Sequence, residues 1–235
     1  MLVVVAFIGC FTLVVPVSAA SGSTLLLRGN HHHQSSKRRT RRRTQGRIIG
    51  GQPASPTRYT YFTSLRRSTS NSHYCGGSLI APTIVLTAAH CGNTGSLPNV
   101  VIGRTDLTDT TSGEMISALQ EVIHPLSAKV VLSDGVTQGA APNYDFMILE
   151  LSRPVSLPNI KYVKVNQSLG DAALSNKAVT VIGHGYTSTT NTQLSNVLME
   201  VELTVISNEQ CRLSVPLDNS PWSMYGDMVS DQMMC

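Results

Sequence analysis

The sequence predicts an all-β protein, and three observations carry that prediction. Short apolar runs recur at residues 78–80, 84–86, 100–102, 146–151, 160–165 and 179–182. Clusters of Gly, Pro, Asn and Ser separate them. One further segment, residues 199–205, alternates cleanly, with Met199, Val201, Leu203 and Val205 set against Glu200, Glu202 and Thr204. Many short strands joined by frequent turns argue for a barrel or a sandwich.

Two segments read as helix. Ile116, Leu119 and Ile123 have helical spacing, so periodicity favours a helix over residues 114–123. His124-Pro125 then ends it, because the residue before proline is pushed towards extended geometry. Residues 207–213 carry a capping box, with Ser207 as cap and Gln210 three residues on.

Charge divides the chain in two. The net charge of +4 over 235 residues hides a leader, residues 1–47, with eight Lys/Arg and no Asp/Glu. The remainder, residues 48–235, carries ten Lys/Arg against fourteen Asp/Glu. A 14% charged and 41% hydrophobic composition suits a globular extracellular protein and not a disordered one.

Residues 1–20 read as a secretory signal peptide: an apolar core from Leu2 to Val15, then Pro16, then small residues Ser18, Ala19 and Ala20. The apolar run is short of the ~20 residues a spanning helix needs, so no membrane anchor is expected after cleavage. Residues 21–47 are polar and basic, including His31-His32-His33 and Lys37-Arg38-Arg39-Thr40-Arg41-Arg42-Arg43. They hold too few apolar residues to build a core, and a disordered propeptide is expected. Behind a signal peptide, nucleic-acid binding is not expected of the basic run.

Cys10 lies in the signal peptide. Cys75, Cys91, Cys211 and Cys235 remain, an even set that favours disulfides in a secreted protein, with three pairings possible. No C-x-x-C or His/Cys cluster supports zinc, and no metal or cofactor is expected. Asn166-Gln167-Ser168 is a glycosylation sequon.

The chemistry lies in three stretches. Arg47-Ile48-Ile49-Gly50-Gly51 suits cleavage after arginine, which would free a new amino terminus at Ile48. Cys75-Gly76-Gly77-Ser78-Leu79-Ile80 leads through a strand to Thr87-Ala88-Ala89-His90-Cys91. A Cys75–Cys91 bond would close a short loop beneath His90 and contribute about 3 kcal/mol. Asn143-Tyr144-Asp145 puts a carboxylate at the mouth of an apolar strand, where burial costs several kcal/mol unless it is paired. A histidine ring N–H is a fitting partner.

With these stretches in order, together with His124-Pro125 and Ile206-Ser207-Asn208-Glu209-Gln210-Cys211, residues 47–235 resemble the trypsin/chymotrypsin family of serine endopeptidases. The resemblance implies two six-stranded Greek-key antiparallel β-barrels, and it makes residues 114–123 a strand. It implies disulfides Cys75–Cys91 and Cys211–Cys235, with His90 as general base and Asp145 orienting it. It makes Arg47–Ile48 a zymogen activation bond cut by an activating protease, this one or another, and a polypeptide or protein the partner.

The chain departs from the family in two places. No Gly-Asp-Ser-Gly-Gly-Pro surrounds Ser214, Ser220, Ser223, Ser230 or any other serine. The nucleophile, the oxyanion hole and the last strands of the second barrel are thus missing from residues 48–235. Loss of the nucleophile costs on the order of 10⁶ in turnover. Gly183-His184-Gly185 carries histidine where the family usually has tryptophan, and His184 reads as a surface or core substitution and not as a second base. The expectation is a secreted serine endopeptidase zymogen, C-terminally truncated and inactive as written. The alternative is a catalytically dead homologue that binds or inhibits another secreted hydrolase. His90, Asp145 and a cleavable Arg47–Ile48 bond together favour the first.

Overall fold

In the computed structural model, the described residues are 2–7, 10–15, 51–92, 94–127, 130–131, 137–138, 144–165, 174–186, 193–214, 229 and 233–235. Arg47, Ile48 and Asn166 lie outside them, as do all of residues 16–50.

Six strands close an antiparallel barrel: β4 (Phe62–Arg66), β5 (His73–Ala81), β6 (Ile84–Thr87), β7 (Asn99–Ile102), β8 (Glu114–Ile123) and β11 (Met147–Leu151). Around the barrel the order is β11-β6-β5-β4-β7-β8. Strands β4 to β6 pair with their sequence neighbours. Strand β11 closes the ring by pairing with both β6 and β8. Leu65, Leu79, Val85, Val100, Ile102, Ile116, Met147 and Leu149 fill it, each at most 2% exposed. Burial of such side chains contributes about 1.5–3 kcal/mol each. Gly77 permits the tight β4–β5 contact, since a Cβ there would meet Thr63 Oγ1 at 2.5 Å.

The second sheet is open. Its order is β12-β2-β1-β13-β14-β3, where β1 is Leu2–Phe7, β2 Cys10–Val15 and β3 Gln52–Pro53. The others are β12 (Lys164–Val165), β13 (Ala178–Gly183) and β14 (Met199–Thr204). Strand β1 runs parallel to β13, with Leu2 opposite Val179. Two short strands, β9 (Val130–Val131) and β10 (Thr137–Gln138), form a separate hairpin. Strand β13 is buried on both faces. Val179 and Val181 join Leu174 and Val205 in a small cluster, whereas Ile182 turns into the barrel's core.

The helix read from periodicity at residues 114–123 is corrected: the segment is strand β8. Ile116 and Ala118 alternate inwards, and pairing on both sides with β7 and β11 satisfies the backbone. Leu119 falls at a bulge and is 60% exposed, so the three-residue spacing arose from an outward-facing residue. The run at 160–165 is strand only at Lys164–Val165. The alternation at 199–205 is broken by Glu200, which is buried, and Leu203, which is 45% exposed. Glu200 accepts hydrogen bonds from Gln52, Arg58 and the Tyr59 hydroxyl (3.2, 2.9 and 2.5 Å), so the carboxylate is compensated. The capping box forms as the sequence reads: Ser207 Oγ accepts from Gln210 N–H and caps the helix Asn208–Arg212.

Candidate active site

The site grows from a register. Met147 of β11 pairs with Thr87 of β6, in antiparallel sense. Asp145, two residues before Met147, therefore overhangs the residues that follow Thr87. Those residues are Ala88 and a short 3-10 helix, Ala89–Cys91. Thr87 anchors the approach, its hydroxyl donating to the Gly76 carbonyl at 2.8 Å. Ala88 and Ala89 are buried, and larger side chains would lift the turn off the barrel. Cys91 bonds to Cys75 of β5, tying the turn to a second strand.

Asp145 meets His90 twice. Its Oδ1 accepts the His90 backbone N–H at 2.8 Å, and its Oδ2 lies 2.7 Å from the imidazole Nδ1. The carboxylate is 3% exposed, a burial that is costly without such partners. With Nδ1–H donating to the carboxylate, the imidazole lone pair is on Nε2. That atom has no hydrogen-bond partner among the described residues. A buried acid holding one ring nitrogen protonated leaves the other able to take a proton from a hydroxyl.

Cys75, His90 and Cys91 bring three potential metal-ligand atoms within 4.8 Å of one another. Both sulfurs belong to the disulfide and are not thiolates, so the group does not fit a metal. Cys211 and Cys235 form the second disulfide, the pairing the resemblance implied.

His184 lies away from this pair. It is 4% exposed, with its ring 5.4 Å from Phe62 and 5.3 Å from His73, and its Nδ1 donates to the Ser195 carbonyl at 3.0 Å. Burial pushes its pKa down to about 4. Burial, aided by His184 and Arg66, takes His73 down to about 3. His184 is a packing residue between barrel and sheet, where the strand parity that sends Ile182 inwards also sends it. The contact with His73, like that between Ser64 Oγ and His73 Nδ1 at 2.8 Å, left no trace in the linear spacing.

A family model described as Trypsin matches residues 48–235. The chain belongs to the trypsin family. It is 31% identical to glucanase inhibitor protein 2 of Phytophthora sojae over 70% of its own length and 53% of that protein's. Glucanase inhibitor protein 1 of Phytophthora infestans gives 31% identity, over 74% of this chain and 62% of the relative. Human chymotrypsin-like elastase family member 3B gives 28%, over 82% and 67%. The chain thus spans just over half to about two thirds of the length of these relatives.

Proposed function

We propose that residues 48–235 carry the base and orienting half of a secreted serine endopeptidase, with His90 as general base and Asp145 holding its tautomer. The hydrogen-bonded His90–Asp145 pair carries this reading. A buried carboxylate bonded both to a histidine's backbone and to its ring serves proton transfer, and packing alone does not require it. In this reading His90 Nε2 takes the proton of a serine hydroxyl as that oxygen attacks the peptide carbonyl. It then returns the proton to the leaving amine. Residues 1–20 are a signal peptide, residues 21–47 a propeptide, and an activating protease cuts after Arg47. Removal of the leader takes β1 and β2 from the second sheet.

The serine is not supplied by any motif within residues 48–235, so the 235-residue polypeptide alone should not turn over substrate. The test is the transcript beyond the codon for Cys235, read together with activity of whatever it encodes. A downstream in-frame Gly-Asp-Ser-Gly-Gly-Pro and hydrolysis by the longer product support the endopeptidase. N-terminal analysis of secreted material should find Ile48, and material retaining Met1 would count against both cleavages.

A second reading is favoured by the two glucanase inhibitor relatives: a trypsin-fold protein that binds another secreted hydrolase without cutting it. An in-frame stop after Cys235, with a folded product that slows a secreted glucanase, would establish it over the first.

A further inference from the structure

Asp145 reaches His90 from a turn that is held on both sides by one residue. Phe146 N–H donates to the Tyr144 carbonyl at 2.7 Å, which makes Asp145 the middle residue of a three-residue turn. Tyr144 has φ 61°, a left-handed conformation unfavourable for a bulky side chain. Such a residue persists only where its surroundings over-determine it.

Among the described residues, His124 packs on Tyr144. Its ring lies flat on the Tyr144 ring, with centroids 4.8 Å apart and planes 5° from parallel. Its backbone N–H donates to the Phe146 carbonyl at 2.9 Å. His124 thus grips the residue before Asp145 by a stack and the residue after it by a hydrogen bond. The grip is itself anchored: His124 Nδ1 accepts Leu126 N–H at 3.2 Å, and its carbonyl accepts Ser127 N–H at 2.9 Å. The Phe146 ring meets His124 edge-on at 6.4 Å.

We propose that His124 is a positioning residue, clamping the turn so that the Asp145 carboxylate stays aimed at His90. The clamp rests on the reading of His90 and Asp145 as base and orienter. It acts through the strained Tyr144 backbone: without the stack, Tyr144 relaxes towards negative φ and the Asp145 carbonyl and carboxylate swing away from the 3-10 helix. The backbone hydrogen bond to Phe146 survives any side-chain change; substitutions at Tyr144 isolate the stack, and those at His124 also remove the Nδ1 contact with Leu126.

The test is low-field proton NMR of the full 235-residue chain, following the His90 Nδ1 proton and its exchange with solvent. His124→Ala and Tyr144→Ala, which delete one ring each and keep a side chain at the positive φ of residue 144, should speed that exchange about tenfold, the equilibrium factor an aromatic pair supplies. His124→Phe and Tyr144→Phe, which keep two stacked rings, should restore the wild-type rate. Wild-type exchange in His124→Ala would overturn the clamp. Should His124→Ala not fold, Tyr144→Ala decides by the same criterion, since alanine removes the ring while positive φ stays costly. A wild-type chain without a low-field His90 proton would instead remove the base–orienter reading, and the clamp with it.

Discussion

The closed barrel and the open sheet use the same kind of strand to different effect. Every barrel strand has a hydrogen-bonded neighbour on each side, and its register is fixed twice. The second sheet ends at β12 and β3, each two residues long. Among the described residues, the barrel's cluster gathers 21 buried side chains, including Ile182 and Leu198 from the sheet's side, and the sheet's own cluster four. The His90–Asp145 pair sits where register is doubly fixed, between β6 and β11. A hydrogen-bonded contact between two strands needs their register held, and the closed barrel holds it on both edges of β6 and β11.

The largest expected effect comes from breaking the barrel. Leu149→Ala should cost about 2–5 kcal/mol in chemical denaturation, since a fully buried leucine leaves a cavity that closed walls cannot fill. Val181→Ala in the sheet's four-residue cluster should cost less, on the order of 1 kcal/mol, because the open sheet can collapse around it. Equal costs would deny the contrast.

Acid should act at the seam between the two regions. His73 and His184 face each other there, with Arg66 and Arg104 buried nearby and Asp106 the carboxylate that acts on His184. Both folded-state pKa values lie below the ordinary 6.5, at about 3 and about 4. Above pH 6.5 both rings are neutral in either state and their full contribution is present. As pH falls below 6.5 the unfolded chain takes up protons that the folded chain refuses, so stability is lost until the folded pKa values are reached. His184→Phe keeps a ring against Phe62 and His73 but cannot titrate. It should remove roughly 3 kcal/mol of the stability loss between pH 7 and pH 4, measured by urea unfolding across that range. An unchanged pH profile would show that burial at the seam does not hold His184 neutral.

The smallest effect should come at the edge of the open region. Ser207→Ala deletes the cap of the helix Asn208–Arg212 and should cost about 1 kcal/mol. Ser207→Asp should restore most of it, both read by thermal unfolding.

Much of this contrast was legible in the sequence, for local reasons. β6, β7, β11 and β13 are apolar runs bounded by turn residues, and the capping box is a matter of four consecutive positions. His90 and Asp145 stood out because each sits in a motif whose neighbours explain it. Strand β4 did not stand out. Phe62-Thr63-Ser64-Leu65-Arg66 lacks alternation because pairing on both edges and cover on both faces bury all five residues, polar ones included. Strand β8 misled through a bulge that left Leu119 outside. The His73–His184 contact and the His124–Tyr144 stack join residues 111 and 20 positions apart, and no linear pattern announces such meetings.

Strand β11 has one more consequence. It is the last barrel strand in sequence, and every hydrogen bond that closes the ring lies between residues 62 and 151. The carboxylate rides at its leading end, 55 residues from the histidine it must find. On a ribosome, the pair is therefore complete in covalent terms before any of β13 or β14 has been made. Closure of the ring and assembly of the pair are one event, so the His90–Asp145 contact reports whether that first folding unit has finished.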